Sequence, residues 1–513
     1  MFDEAFRSIR FYNSWSREIE NFVPIDDDVV RMYSCGPTVY NYAHVGNLRA
    51  YTFTDLLRRT LNWKGWSTLH VINITDVGHL TSDADVGVDK LEEASIRENR
   101  TIWKIAEHYT TAFKKDLVSL NVLEPSIWST ATDHVEDMIG FAMRLHSSGY
   151  AYETDSGLYF DTSKVPEYGR LALIDEEGRR EGARVAIVKG KRNSNDFAIW
   201  RRSEGTSRRQ MEWSSPWGIG APGWHLECSV MSMKYLGKEF DIHTGGIDHR
   251  EVHHCNEIAQ NQGYSGTANP GAKFWMHNNF LVDRSGKMSK SKGDFTTLPT
   301  LLSYGVHPLA FRLLCLSAHY RNEMEFTIEG LLGALKRLKR MVKVVTLLKS
   351  QIAPCTWCRA IEEIRSSRGA SFIYQRDVLE GTLAPNAKNI ISVFDAYVSN
   401  DLATPSCLTV LDDVLNSVDF EPDVKLRIVA SFDLVLGLSL LELSPVDLSL
   451  RPADATLANE EIELLISARE GARGRKDYAT ADKIRQQLSS AGVLLMDAES
   501  GANWEWIPSV PAP

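Results

Sequence analysis

Residues 31–47 read RMYSCGPTVYNYAHVGN, and how this stretch folds decides the class of the whole chain. Its first half has the apolar and aromatic content of a strand and runs into a turn marked by Gly36 and Pro37. Helical periodicity follows over residues 51–61, and LHVINIT (69–75) reads as a second short buried strand. Strand, loop, helix, strand is the alternation of a parallel α/β sheet. The loop itself carries chemistry. Gly46 lets a polyanion approach the backbone, a helix N-terminus favours negative charge, and both His44 and Asn47 can donate hydrogen bonds to phosphate oxygens.

Outward from this stretch the alternation recurs. A second α/β portion spans about 222–297, where EFDIHTGGID (239–248) reads as a strand ending in a glycine turn and FWMHNNFLVD (274–283) as another strand. Between the two portions lies a region of mixed character that includes the basic run GRREGARVAIVKGKR (178–192), read as an inserted subdomain. From about residue 301 the pattern is helical, with IEGLLGALKRLKRMVKVVTLL (328–348) as a long amphipathic helix interrupted near Pro354, and further helices to about Leu443. SPVDLSLRPADAT (444–456) reads as a linker; a charged helix pair and a short strand, VLLMD (493–497), close the chain.

Composition narrows the class. With 513 residues, 43% hydrophobic and 24% charged, the chain has room for several domains with sizeable cores. No apolar run approaches the ~18 residues that span a bilayer, and the first residues lack the apolar core of a secretion signal, so a soluble, cytoplasmic protein is expected. Seven scattered cysteines argue against a disulfide framework. A net charge of −10 means that any nucleic-acid contact must rest on local basic patches.

VHHCNEIAQ (252–260) raises the question of a metal. On a helix Glu257 lies about 40° around from His253, whereas Cys255 lies about 200° away. His253 and Glu257 can share an ion that Cys255 cannot readily join. Two ligands are half a tetrahedral shell. Cys35, on the strand feeding the phosphate turn, and Cys228, in PGWHLECSVM, are candidates for the missing half; with His253 and Glu257 they would make a Cys₂-His-Glu set whose softness and charge suit Zn²⁺. Singly, each cysteine is more often an inert core thiol. Residues 287–291, KMSKS, put two ammonium groups on one loop, suited to point-charge contact with a polyanion.

These residues carry a family resemblance. The turn with His44 and Asn47 resembles the HIGH signature of class I aminoacyl-tRNA synthetases, with Asn47 in place of the second histidine, and KMSKS is the second signature of that class. From about Arg31 to about Trp504 the chain is similar to the cysteinyl-tRNA synthetases, notably in CGPTVYNYAHVGN, NITDVGHLTSDAD, KRNSNDFAIW, FDIHTGGIDHREVHHCNEIAQ and LSAHYRNEMEFT. The resemblance implies an α/β fold: a Rossmann-type parallel-sheet catalytic domain (1–120 and 216–300) with an inserted connective subdomain (121–215). A stem-contact region (301–345), an α-helical bundle (346–450) and a small mixed α/β anticodon-binding domain (455–513) follow.

The same resemblance implies one Zn²⁺ per chain at Cys35, Cys228, His253 and Glu257, binding the substrate thiolate. It places Thr75, Trp224 and His243 in the cysteine pocket, and ATP with Mg²⁺ at His44, Gly46, Asn47, Gly245, Gly246, Asp248, Lys287 and Lys290. Of these, His44, Asn47, Lys287 and Lys290 assist adenylate formation. ATP, L-cysteine and tRNA(Cys) are the implied partners and a monomer is expected. No residue is assigned to the tRNA, although Lys336, Arg337, Lys339, Arg340 and Lys343 form a basic stripe and Trp504 and Trp506 could stack on bases. The chain departs from the family pattern at Asn47, Cys255 and Asp294, and Cys355-Thr-Trp-Cys358 has C-x-x-C spacing without a second pair. Two other readings are a cysteine ligase that acts on an amino sugar and a silent RNA-binding paralogue.

Overall fold

The computed structural model describes residues 4–77, 90–172, 190–203, 210–283, 286–287, 296–353, 359, 361, 372–498 and 501–510. A hairpin of β1 (Arg10–Asn13) and β2 (Glu18–Asn21) precedes β3 (Val29–Ser34), helix α1 (Val45–Trp63) and β4 (Ser67–Ile74). Helix α2 (Ile102–Ser119), β5 (Ile127–Thr130) and α3 (Val135–Ser147) follow. A four-stranded antiparallel sheet then interrupts the alternation: β6 (Ala151–Thr154), β7 (Gly157–Phe160), β8 (Phe197–Arg202) and β9 (Gly220–Pro222). The α/β pattern resumes with α4 (Trp224–Leu236), β10 (Phe240–Gly246), α5 (His253–Ser265) and β11 (Ala272–Asn278).

Strands β3, β4, β5, β10 and β11 make one sheet in the order β11-β10-β3-β4-β5, every pairing parallel. Burial on both faces requires the apolar run seen in β4, whose last five residues are all inaccessible to solvent. The order has a switch point. The chain leaves β3 toward β4 on one side, while β10 pairs on the other side and leads to β11, so the connections part at the carboxyl ends of β3 and β10 and a crevice opens there.

Beyond the sheet lie β12 (Leu281–Asp283), β13 (Gly286–Lys287), α6 (Leu298–Ser303), α7 (Pro308–Leu316), β14 (Met324–Glu325) and α8 (Ile328–Ser350). The bundle comprises α9 (Phe372–Glu380), α10 (Pro385–Val398), α11 (Thr404–Asn416) and α12 (Pro422–Leu436); α13 (Asn459–Gly474), α14 (Tyr478–Ser490), β15 (Val493–Ala498) and β16 (Gly501–Trp506) form the last unit. No helix among the described residues is long and apolar enough to cross a membrane.

Several expectations change in detail. FWMHNNFLVD is two strands in different sheets, β11 and β12; Asn279 breaks it by accepting from the Phe280 amide and donating to the Arg321 carbonyl. The range 121–215 begins inside the central sheet, because β5 pairs with β4. Linker 444–456 is packed, with Leu448 fully buried in the bundle's core. Strand β16 pairs along the whole of β15, although GANWEW has little strand character; what holds it is Trp506, buried against Val493 and the α13–α14 pair. The basic run 178–192 lies largely outside the described residues, as do Cys355 and Cys358.

The parallel-sheet half and the bundle are joined by buried charge. Asp55 on α1 accepts from Arg59 at 2.7 Å and from Arg312 of α7 at 2.5 Å, and Arg312 also donates to the Leu436 carbonyl at the end of α12. All three side chains are buried, so removing one partner strands the others, a loss on the order of 3–5 kcal/mol.

Candidate active site

Helix α1 begins at the turn that decided the fold. His44 is its N-cap, and the Asn47 backbone amide donates to His44 Nδ1 at 3.2 Å while the His44 amide donates to Asn47 Oδ1 at 3.4 Å. An amide nitrogen can only donate, so Nδ1 is the unprotonated ring nitrogen and a neutral His44 carries its proton on Nε2. With Oδ1 engaged, Asn47 offers its amide nitrogen as a donor. Gly46 is required here: a Cβ would sit 2.9 Å from the His44 ring. Gly36 is required more strictly, since a Cβ would lie 1.5 Å from the Asn73 carbonyl oxygen.

A cavity of about 470 Å³ occupies the crevice at the switch point. His44, Gly46, Asn47, Gly245, Gly246 and Asp248 line it, and so do Cys35, Thr75, Trp224, Cys228 and His253. The Trp224 ring packs on His253 with centroids 4.3 Å apart. Thr75 donates its hydroxyl proton to Glu227 at 2.9 Å and accepts from Asn73 at 3.1 Å. His243 does not line the cavity. It is fully buried behind Glu257, with Nε2 3.0 Å from Oε2, and stacks on Trp275. Lys287 is placed only by its backbone, paired with Val282; Lys290 and Asp294 lie outside the described residues.

The four expected metal donors converge. One ligand atom each from Cys35, Cys228, His253 and Glu257 lies within 4.8 Å of the others, all buried. His253 Nε2 stands 3.0 Å and Cys35 Sγ 3.9 Å from Glu257 Oε1. Metal–ligand bonds of about 2.0–2.3 Å at tetrahedral angles put donors roughly 3.3–3.8 Å apart, so the set fits one ion with small adjustments. Cys255 points elsewhere, its thiol donating to the Arg250 carbonyl and raised to about 12 by burial.

A second grouping, Cys35, His243, His254 and Glu257, is as tight. His254 Nε2 lies 3.3 Å from Cys35 Sγ, while its Nδ1 meets His277, which in turn meets Ser14. The cavity separates the two sets, because three donors of the first line it and only Cys35 of the second does. An ion in the first set can meet a ligand. His254 and His277, with His225 at 3.0 Å from His253 Nδ1, were given no role from the sequence; for His254 and His225, adjacency to the ligands in VHHCNE and GWHLEC was the available signal.

Electrostatics favour a cation there. Burial pushes Cys228 up, but the hydrogen bond with Cys35 and the charge of His253 bring it down to about 6. Burial also opposes the ionised Glu257, yet His243 and His253 hold it at about 2. His253 is raised to about 10 against its burial by Glu257 and Cys228. Burial drives His254 and His277 well below the usual histidine range, so both are neutral donors or acceptors. Burial and the hydrogen bond with Cys228 push the Cys35 thiol well up, so the buried negative charge rests on Cys228 and Glu257 and is shared by protonated His253, a part that a metal ion would take over.

The fold is that of the class I tRNA synthetases. Its solved neighbours include Mycobacterium tuberculosis methionyl-tRNA synthetase bound by methionyl-adenylate, with TM-score 0.51 and 14% identity over 80% of this chain and 90% of that one. Another is Agrobacterium radiobacter K84 LeuRS in a ternary complex, with TM-score 0.56 and 12% identity over 93% and 95%. Residues 21–336 match the family described as tRNA synthetases class I (C) catalytic domain, and residues 458–504 match the cysteinyl-tRNA ligase anticodon binding domain. The cysteine–tRNA ligase of Zymomonas mobilis is 55% identical over 98% of both chains, and that of Novosphingobium aromaticivorans 52% identical over 97% of both. The chain belongs to the cysteine–tRNA ligase family.

Proposed function

We propose that the chain activates L-cysteine with Mg·ATP and transfers it to the terminal adenosine of tRNA(Cys), with Zn²⁺ held by Cys35, Cys228, His253 and Glu257. The observation that carries this reading is the buried Cys₂-His-Glu set, three of whose members open onto the cavity shared with the capped turn of α1. When bound, zinc supplies a thiophilic centre that favours a thiolate, lowering a thiol pKa from about 8.5 into a range a serine hydroxyl cannot reach. A pocket of ordinary contacts discriminates such near-isosteres by only about 1–3 kcal/mol.

The chain's own residues do the rest. Trp224 walls the amino-acid end of the cavity. Thr75, its proton committed to Glu227, presents a remaining lone pair and therefore suits an ammonium donor. His243 acts at one remove, steering Glu257. Gly245 and Gly246 let the nucleotide approach the end of β10, Asp248 accepts from ribose hydroxyls, and the His44 ring and the Asn47 amide donate to phosphate. Lys287 and Lys290 neutralise charge as the cysteine carboxylate attacks the α-phosphorus and pyrophosphate leaves. The tRNA hydroxyl then attacks the activated carbonyl and AMP departs.

Acid-precipitable charging of total tRNA with labelled cysteine, ATP and Mg²⁺, with serine as control, tests the reading. Charging with cysteine alone is expected. Cysteine-dependent ATP–pyrophosphate exchange without charging would shift the acceptor to an amino sugar; absence of both would leave a silent RNA-binding paralogue. The anticodon-domain match at residues 458–504 favours the tRNA acceptor.

A further inference from the structure

Helix α6 is held at both ends by distant parts of the chain. At its start, the Val45 amide donates to the Thr296 carbonyl at 2.9 Å and His44 forms an antiparallel bridge with Thr297, the helix's N-cap. At its end, the Ala453 amide donates to the Ser303 carbonyl at 2.8 Å and the Ser509 amide to the Tyr304 carbonyl at 2.9 Å. Gly305 follows at φ +80°, where a Cβ would meet the Leu450 carbonyl at 2.8 Å. The Ser509 hydroxyl is bonded to Asp454. Val510 packs against the cluster that contains Leu298 and Leu301 of α6 together with Val45 and Leu48 of α1.

Residues 507–510 therefore run from the last strand back onto the catalytic half. Upstream the Ile507 amide donates to the Gly492 carbonyl of the terminal unit at 2.8 Å, and the preceding Trp506 amide donates to the Ser449 hydroxyl of segment 444–456 at 2.9 Å. We propose that residues 507–510 are a strap that fixes α6 and, through Thr296 and Thr297, the start of α1, making them positioning residues for the phosphate donors His44 and Asn47. Seating of the terminal domain is thereby felt at the nucleotide end of the cavity. The cysteine end is exempt, because Cys35, Cys228 and His253 stand on β3's exit, α4 and α5.

The inference rests on the ligase reading, and its test uses Val510→Asp, which puts a carboxylate into the apolar cluster, and a chain stopped after Ile507. Cysteine-dependent ATP–pyrophosphate exchange, which needs no tRNA, is expected to lose about tenfold in kcat, in line with the cost of sub-ångström to ångström misplacement, with the KM for cysteine within twofold of the full chain. Amide hydrogen exchange at Val45 and Asn47 should accelerate while that of β10 does not. Unchanged exchange kcat in both variants, even with charging lost, would overturn the strap and confine these residues to holding the terminal domain. If Val510→Asp fails to fold, Ser509→Pro, which removes both the amide donor to Tyr304 and the hydroxyl bonded to Asp454, is expected to shift the same readouts in the same direction, whereas Ser509→Ala, which loses the hydroxyl alone, is expected to shift them less; no shift with Ser509→Pro would also overturn the strap. Should the full chain show no exchange with cysteine, the ligase reading fails, and the Val45 protection in the stopped chain still decides the strap.

Discussion

Two groups of residues share the cavity and are built by different means. The thiol cluster draws Cys35 from the exit of β3, Cys228 from α4 and His253 with Glu257 from α5, and its capacity lies in side-chain atoms whose charges hold one another. The capped turn draws His44 and Asn47 from one end of α1, and those side chains serve the helix backbone before they serve any ligand. The lesson is a difference in what substitution removes. In the cluster, chemistry is lost with little fold; in the turn, a single change costs both.

The largest effect should come from Cys228→Ser, which keeps shape but withdraws a thiolate. Bound metal, measured by elemental analysis, should fall to a small fraction of one per chain, and cysteine-dependent exchange by more than about a hundredfold, with thermal stability of the apo forms nearly equal. Retained exchange in metal-free protein would sink the role of the cluster. His44→Ala comes next: exchange should drop about a hundredfold, and the lost cap should cost about 1 kcal/mol in stability, with metal stoichiometry unchanged. A loss of metal in that variant would show that the two groups are not separable.

Asp116 on α2 gives a comparison away from both. Burial raises its carboxyl to about 7, and its Oδ2 has no hydrogen-bond partner. An acid raised in the folded state favours folding least once the unfolded chain ionises, so its stability contribution is full below about pH 4 and is lost as pH rises toward 7. Asp116→Asn should accordingly stabilise the protein at pH 8 by about 1–2 kcal/mol, and the gain should vanish near pH 4 in paired thermal melts. The smallest effect belongs to Lys339→Gln, which breaks the 2.6 Å pair with Glu505 of β16. This half-exposed bridge is worth at most about 1 kcal/mol, and its loss should be masked by salt.

That last pair shows how a legible pattern acquired a different meaning. The basic stripe on α8 was visible in the sequence as a possible phosphate track. In the structure Arg337 and Arg340 bind Asp412 of α11, and Lys339 binds Glu505, so three of its charges dock the bundle and the terminal unit while Lys336 and Lys343 remain exposed. Likewise Trp506 closes a small core, and Trp504 donates its ring N–H to Glu463. Periodicity places a charge on a helix face but says nothing of which distant carboxylate will face it.

What the sequence determined by itself is what short-range geometry dictates: a strand, glycine turn and helix over residues 31–61, the shared face of His253 and Glu257, and motifs whose order marks the family. Tertiary structure alone decided the rest. The strand order put the exits of β3 and β10 side by side, so that Cys35 could meet Cys228 and His253; the cavity then separated two equally tight donor sets. It also sent His243 behind Glu257 instead of into the cavity. The reason is physical: backbone dihedrals and 3.6-residue spacing are properties of neighbours in the chain, whereas burial, charge pairing and access to solvent are properties of neighbours in space.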